Sequence, residues 1–215
     1  ITLRGRTAWV TLQEANAVAV LAVPTATVTD IVPLGLKDHS IVGNGVDPSD
    51  RDGANMIATW PVFGMYQPDG IASFRVGGVQ FLVTANEGDS RSGDDFPGFN
   101  EEVRLGNSAY VLDPAVFPNA ASLKNNAALG RLNVSTASGD TDGDGDFDEI
   151  HVFGARSFSI WTTRGELVWD SGDQLEQFFA DPMNGYASIF NASNSDVSRD
   201  SRSDNKGPEP EGVAV

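Results

Sequence analysis

Five aspartates alternate with other residues in one short stretch: Asp140, Asp142, Asp144, Asp146 and Asp148. Like charges at this density repel one another strongly unless a cation lies among them. In a calcium loop of the D-x-D-x-D-G type, the side chains at positions 1, 3 and 5 face the ion. A glycine at position 6 permits the sharp turn, and positions 7 and 9 add further oxygen atoms. The pattern therefore predicts that the five aspartates bind calcium, with Gly145 at the turn.

The residues after this loop indicate which kind of calcium site to expect. Position 12 of a helical EF-hand loop carries a bidentate glutamate, whereas this sequence has His151 there. The segment that follows has the composition of β-strands rather than of a helix. The stretch is therefore similar to the calcium-bearing hairpin loops of β-propeller blades. The alternative is an acidic, solvated turn that binds no specific ion.

A second group of charged residues lies where predicted strands begin or end. Its members are Glu87, Asp89, Arg91, Arg156, Lys206, Glu209 and Glu211. If such positions converge on a central channel, Arg91, Arg156 and Lys206 are candidate catalytic residues that could stabilise a bound phosphate group. The carboxylates Glu87, Asp89, Glu209 and Glu211 are then candidates for a second cation site. The alternative is that these charges solvate the ends of loops and pair with one another.

The overall composition limits the class of protein. The chain has 215 residues, of which 40% are hydrophobic, with 12 Phe and 4 Trp, so it is long and apolar enough to fold around a core. Its net charge of −16 argues against binding to nucleic acid or to an anionic membrane surface. The charge favours a secreted or surface protein that functions among divalent cations. The sequence has no cysteine, which excludes disulfides and thiolate metal sites, and it has no apolar run long enough to span a bilayer.

Most of the predicted secondary structure is short β-strands. Alternating or continuous apolar patterns predict strands at 7–12, 17–23, 28–34, 71–76, 79–85, 108–112, 149–153, 158–162 and 166–169. The last three strands are predicted to form one meander, with a turn at Gly154. Short helices are predicted at 120–129 and 174–180. The segment from about residue 92 to Gly106, which includes Asp94 and Asp95, has the composition of a loop.

These elements predict an all-β fold, and specifically a β-propeller. Strand meanders begin near residues 7, 71, 108 and 149, and such spacing suits propeller blades separated by long insertions. Three to four blades fit in the chain, together with long loops and one or two short helices. Residues 1–215 are therefore expected to form a single propeller region that is incomplete at both ends. The segment at 212–215 has the pattern of the start of a strand, and the chain begins without Met.

Six motifs together resemble one protein family. They are Lys37-Asp-His-Ser, Tyr66-Gln-Pro-Asp, Thr84-Ala-Asn-Glu-Gly-Asp-Ser-Arg91, Gly139-Asp-Thr-Asp-Gly-Asp-Gly-Asp146, Phe153-Gly-Ala-Arg-Ser-Phe-Ser-Ile-Trp161 and Lys206-Gly-Pro-Glu-Pro-Glu-Gly-Val213. Their combination resembles the choice-of-anchor I family of exported bacterial propellers, also labelled alkaline phosphatase-like or mesenchyme-specific cell surface glycoprotein. The resemblance covers nearly the whole chain and implies a β-propeller, calcium, and an extracellular, periplasmic or cell-surface location. The last motif is also similar to a strand of phytase-like propellers.

Two functions follow as hypotheses. The first is a calcium-binding extracellular or surface propeller that acts as a binding or structural module, with another surface protein as its partner. The second is a calcium-dependent phosphoesterase, alkaline phosphatase-like or phytase-like, that acts on a phosphorylated small molecule. The two histidines, His39 and His151, are too few for the zinc set of the well-known alkaline phosphatases. Convergence of the second charged group on one concave site would favour the enzyme.

Overall fold

The N-terminal residues form a four-stranded antiparallel sheet in the computed structural model, which describes residues 1–93, 97–195 and 197–215. Its strands follow chain order: β1 Thr2–Arg4, β2 Thr7–Leu12, β3 Ala17–Ala22 and β4 Thr27–Pro33. The turn between β2 and β3 places Asn16 at a φ of 50°, a left-handed conformation that asparagine tolerates better than most residues. The central strands β2 and β3 bury Trp9 and Val18, as the apolar pattern predicts.

A second four-stranded antiparallel sheet joins two distant parts of the chain. Its strands, in order across the sheet, are β7 Ile71–Val76, β8 Val79–Asn86, β12 Ser157–Thr162 and β13 Leu167–Asp170. Gly77 and Gly78 make the β7–β8 turn with φ angles of 58° and 86°. β8 pairs with β12 over six residues, from Asn86 opposite Ser157 to Phe81 opposite Thr162. The residues between these two strands therefore leave the sheet and return to it.

The intervening residues contribute to a third sheet of five very short strands. In order across the sheet they are β5 Leu36–Asp38, β6 Phe63–Met65, β11 His151–Phe153, β10 Asn133–Ser135 and β9 Glu102–Arg104. β6 and β11 are parallel, and the other pairs are antiparallel. The prediction of one meander across 149–169 is therefore wrong, because β11 pairs with β6 and not with β12. The chain changes sheets at Gly154, whose φ of 78° and close approach to the Glu87 carbonyl leave no room for a side chain.

Two other local predictions differ from the structure. Residues 108–112 form no strand, and only Leu112 makes an isolated bridge, with Phe147. Helix α1 is limited to Ala120–Leu123, since the following turns close through hydrogen bonds from Ala128 and Gly130 to the Asn125 carbonyl. Helix α2, Gln174–Ala180, has the predicted bounds. Asp94 and Asp95 lie outside the described residues.

The apolar side chains form two cores. One lies between the two four-stranded sheets and includes Trp9, Leu82 and Trp161. The other lies around the five-stranded sheet and includes Tyr110 and Ile150. The structure confirms the all-β class with short helices. Both four-stranded sheets have the up-and-down strand order of a propeller blade, whereas a closed propeller stays a prediction. Among the described residues, no helix combines the length and apolar character that crossing a membrane requires.

Candidate metal centre

The aspartate loop is closed at its base by hydrogen bonds between its two ends and is anchored to one other part of the chain. The backbone N–H groups of Asp148 and Glu149 both donate to the Gly139 carbonyl, at 2.9 and 3.0 Å. Phe147 stacks on the Tyr110 ring with a centroid distance of 3.9 Å. Gly139 has a φ of 106°, and a side chain there would lie 2.3 Å from the Glu149 carbonyl oxygen. These contacts fix where the loop begins and ends.

Within the loop, backbone N–H groups orient the carboxylates. The two oxygens of Asp140 accept hydrogen bonds from Gly143 and Gly145, at 2.7 and 3.1 Å. Asp148 Oδ2 accepts from both the backbone N–H and the hydroxyl of Thr141, each at 2.7 Å. Gly145 has a φ of 101°, the conformation that position 6 of a calcium loop requires. The loop is therefore a defined turn rather than an extended acidic segment.

Three of the predicted ligands come together in space. Carboxylate oxygens of Asp140, Asp142 and Asp148 all lie within 4.8 Å of one another. Calcium binds oxygen at 2.3–2.6 Å, so two ligand oxygens on opposite sides of one ion are at most about 5 Å apart. The spacing of this group therefore fits calcium, and its members are positions 1, 3 and 9 of the predicted pattern.

A second group shares Asp148 and adds a residue that sequence reasoning missed. Oxygens of Asp113, Asp146 and Asp148 also lie within 4.8 Å of one another. Asp113 reaches the loop because its N–H donates to the Phe147 carbonyl at 3.1 Å. No local spacing rule could have found this residue, which lies far from the loop in sequence. Asp144 belongs to neither group, and its role as a ligand stays a prediction.

The loop is strongly negative and has no neutralising side chain from the described part of the chain. None of the ion pairs found there includes any aspartate of the loop. Desolvation and the neighbouring carboxylates, Asp144 first among them, raise the pKa of Asp146. The hydrogen bonds from Thr141 lower the pKa of Asp148, which keeps that carboxylate ionised. The donor set is therefore made of hard, anionic oxygens, the type that calcium prefers.

The charged residues predicted at the ends of strands, away from the aspartate loop, come together only in part. The Lys206 ammonium lies 3.0 Å from Glu87, 3.6 Å from Glu209 and 4.0 Å from Asp89. Three of the four predicted carboxylates of the second cation site therefore surround a cation that the chain itself provides. Glu211 lies apart from this cluster, in the lining of a cavity that it shares with Glu209.

The two candidate arginines are engaged elsewhere. Arg91 pairs with Glu101 through two side-chain hydrogen bonds of 3.0 and 2.9 Å. Arg156 is 4% exposed and pairs with Glu176 at 2.7 Å, and it also donates to the backbone carbonyls of Asp47, Ser203 and Asn205. Each guanidinium is thus matched by a carboxylate inside the protein. Arg91, Arg156 and Lys206 do not form one concave anion site.

Both histidines have structural roles. His39 is fully buried, and its burial lowers its pKa from 6.5 to about 3, so the ring is neutral. His151 hydrogen-bonds Ser138 at 2.9 Å and Glu149 at 2.8 Å, beside the loop.

Asn133 and Asn191 begin Asn-x-Ser sequences that match the glycosylation pattern, but both side chains are buried. The folded chain therefore does not offer these two amides for modification.

Comparison with known proteins finds a matching family model and related proteins. The family model of the choice-of-anchor I domain matches residues 1–215. The chain is 31% identical to a mesenchyme-specific cell surface glycoprotein of Strongylocentrotus purpuratus, over 86% of this chain and 27% of that protein. It is 39% identical to Gigasin-3a of Magallana gigas, over 44% of this chain and 34% of that protein. The chain thus spans about a third or less of these relatives. No solved structure matches it.

Proposed function

The chain belongs to the choice-of-anchor I domain family, and from this premise we propose that it is a calcium-binding module of an extracellular or cell-surface protein. One observation carries the calcium part of this proposal. Asp140, Asp142 and Asp148 bring carboxylate oxygens within 4.8 Å of one another, at the spacing of a calcium loop. The neighbouring group of Asp113, Asp146 and Asp148 extends the same acidic surface. The role proposed for the module is structural or binding, not catalytic.

The chain's own residues define what the ion would do. Calcium would neutralise the mutual repulsion of the aspartates and link the start of the loop at Asp140 to its end at Asp148. Asp148 lies three residues before His151, the first residue of β11. Phe147, one residue before Asp148, packs against the core that contains Tyr110. Binding at the loop would therefore stabilise the five-stranded sheet as well as the loop itself.

The location is proposed from two independent features. One relative in the comparison is named as a cell surface glycoprotein, and the net charge of −16 suits a protein that functions among divalent cations. A structural or binding module of this kind would have another surface protein as its partner. Export from a bacterial cell, or a periplasmic location, stays a prediction from the motifs.

The phosphoesterase is the less supported alternative. Its three candidate cations, Arg91, Arg156 and Lys206, are each paired with carboxylates, and Arg156 is buried. A phosphate group would have to compete with these carboxylates for every cation. Hydrolysis of a phosphomonoester that requires calcium and is lost in Lys206→Ala would restore the enzyme hypothesis. Turnover no greater than the uncatalysed rate is the expected result.

Calorimetric titration of the chelator-treated protein with calcium tests the proposal. We expect saturable binding that is weakened at least tenfold by Asp140→Asn, since the variant removes one anionic ligand at position 1. Glu166→Gln is the matched control, because it removes one negative charge from an exposed turn outside the loop. Binding that is absent from the wild-type protein, or equally weakened in both variants, would contradict a specific calcium site.

A further inference from the structure

The two four-stranded sheets pack on each other through one face each. Thr2 of β1 donates to the Ser73 hydroxyl of β7 at 3.0 Å, and Trp9, Leu82 and Trp161 lie in the core between the sheets. Side chains alternate between the two faces of a strand, and directly paired residues of neighbouring strands share a face. The strand register therefore identifies which residues lie on the opposite, outer face of each sheet.

The outer face of the N-terminal sheet is apolar. Pairing places Ala8, Val10 and Leu12 of β2 on this face, beside Leu21, Ala19 and Ala17 of β3. The edge strands β1 and β4 add Leu3, Val28 and Ile31, which are each 57–59% exposed. An antiparallel sheet with one face in water normally has polar residues on that face. The residues named here include no polar side chain, so this face has the composition of a covered one.

Strand β12 shows the same feature in the second sheet. Its serines, Ser157 and Ser159, are buried, whereas Phe158 and Ile160 point to the outer face and are half-buried. Trp169 of β13 lies opposite Ile160 and is 41% exposed, and its ring contacts Phe158 at a centroid distance of 5.2 Å. Small polar side chains are thus turned inward and large apolar ones outward, the reverse of the pattern expected if the outer face met water.

Strands β7 and β8 extend this aromatic face. Val83 lies opposite Ile160 on one side and Ala72 on the other, so all three share the outer face. Phe74 and Phe81 are paired on the same face, with ring centroids 5.7 Å apart. The outer face is therefore an apolar surface that crosses all four strands, and contact with another apolar surface would remove it from water.

Two different neighbours are needed to cover the two outer faces. No described helix or strand makes extensive contact with either face, and the main contacts of these sheets with each other are those of β1 and β2 with β7, on the inner side. The outer faces lie on opposite sides of the pair of sheets, so one neighbour cannot cover both. Apolar surfaces of this kind in soluble proteins mark sites where other protein segments pack.

We propose that each outer face packs against an apolar face of a further β-sheet in the same polypeptide. The two sheets described here are then interior members of a longer row, and their own contact is the packing that the row repeats. The matched relatives extend well beyond the aligned region, which covers 27% of one and 34% of the other, so they have enough further chain to supply such sheets. A closed propeller is one form of such a row, and an open stack is another.

Labelling of introduced cysteines in excess calcium tests this assignment. The chain has no cysteine of its own, so Ile31→Cys and Trp169→Cys each place a single thiol in it, one on each outer face. Glu166→Cys is the control, on an exposed turn of the second sheet. Each variant is prepared in the 215-residue chain and in the full-length protein expressed from its gene. Reaction with N-ethylmaleimide is followed by mass spectrometry, with the unsubstituted full-length protein as the blank.

The outer-face thiols should behave differently in the two forms of the protein. In the isolated chain we expect them to react within about tenfold of the rate of Glu166→Cys, since both positions are exposed. In the full-length protein they should react about a hundredfold more slowly than the control, or slower still, because a covered thiol reacts only when the sheets separate. Ile31→Lys should likewise lower the melting temperature of the full-length protein and leave that of the isolated chain unchanged.

Three results would overturn the proposal. Equal reaction of the outer-face and control thiols in the full-length protein would leave the faces to a separate partner protein. Protection in the isolated chain that is lost on dilution would assign them to a second copy of the chain. A full-length protein no longer than these 215 residues would contain no further sheet to cover them.

Discussion

The Lys206 ammonium lies 3.0 Å from Glu87 Oε1, although the two residues are 119 positions apart in the sequence. This contact fastens the C-terminal segment to the end of β8. Asp89 and Glu209 lie at 4.0 and 3.6 Å from the same nitrogen, so the ammonium is the shared counter-ion of three carboxylates. A lysine of the chain thus takes the position that a divalent cation would have occupied in this cluster.

Lys206→Met should destabilise the fold, because it leaves three carboxylates together without a cation. Hydrogen bonds to charged groups contribute about 1.5–3 kcal/mol each, so we expect the free energy of unfolding to fall by an amount in this range. Urea denaturation measures the change, and excess calcium should restore part of it. Arg164→Met is the matched control, since the Arg164–Glu166 pair is 3.7 Å long and both side chains are exposed. Equal effects of the two substitutions would contradict a specific role for Lys206.

Glu176→Gln should be more destabilising than loss of the Lys206 cluster. Glu176 and Arg156 are 1% and 4% exposed, so the variant leaves a buried guanidinium without its counter-charge. Breaking one partner of a buried ion pair costs about 3–5 kcal/mol. The free energy of unfolding from urea denaturation tests this, with Glu166→Gln as an exposed control expected to change it by less than about 0.5 kcal/mol. A loss no larger than that of the control would show that Arg156 finds other compensation.

Removal of calcium should lower the melting temperature of the protein. An ion that binds only the folded state stabilises it by about 2.7 kcal/mol at one hundred times its dissociation constant. Scanning calorimetry with calcium and with chelator measures the difference. Asp148→Asn should abolish most of it and Asp113→Asn only part, because Asp148 belongs to both carboxylate groups and Asp113 to one. Asp144→Ala tests whether the remaining predicted ligand also contributes. An unchanged melt in chelator would refute calcium stabilisation.

Stability in chelator should decrease as the pH rises from about 4 to about 6, because two buried carboxyl groups with raised pKa values outweigh the opposite contribution of buried His39, whose pKa is lowered to about 3. Burial, followed by repulsion from Asp200 and Glu176, raises the pKa of Asp47 from 3.8 to about 7, and burial raises that of Asp200 to about 6. Since the unfolded chain releases these protons at lower pH, the folded state binds more protons across this window. Each of these two carboxyl groups therefore contributes its full stabilisation below its pKa in the unfolded chain. That stabilisation is lost as the pH rises through the pKa of the group in the folded state.

Urea denaturation across this pH range measures the dependence on pH. Each group contributes a slope of at most about 1.4 kcal/mol per pH unit. Asp47→Asn should flatten the profile, whereas Asp30→Asn, an exposed substitution on β4, should retain it. The slope is the quantity to compare, because Asp47→Asn would also change the hydrogen bonds that Ser49 and Met56 donate to the wild-type carboxylate. A profile that rises with pH in the wild-type protein would contradict the assignment.

Local patterns in the sequence correctly predicted those elements whose structure depends only on residues close together in the chain. Alternating or continuous apolar patterns located β2, β3, β4, β7, β8, β12 and β13, because each of these strands has at least four residues over which such a pattern can be seen. Helix α2 was predicted with its observed bounds. The glycine and aspartate spacing located a turn in which Gly145 has the expected left-handed backbone. Each of these features depends on residues within a few positions of one another.

The short strands of the third sheet were harder to predict. A three-residue strand such as β5 or β9 has too few positions to show a period, and its pairing depends on the path of the whole chain. β11 was predicted as a strand but assigned to the wrong sheet, since its parallel partner β6 is distant in sequence. The tight contact between Gly154 and the Glu87 carbonyl, which the tertiary structure alone reveals, marks where the chain changes sheets.

The sequence by itself determined the all-β class, the family and the acidic loop, because these follow from residue types and short spacings. The tertiary structure decided which charges meet. It brought Asp113 to the aspartate loop, surrounded Lys206 with carboxylates and buried Arg156 against Glu176. Attraction and desolvation act across space, so residues that are distant in the sequence can neutralise one another. No spacing rule along the chain contains that information.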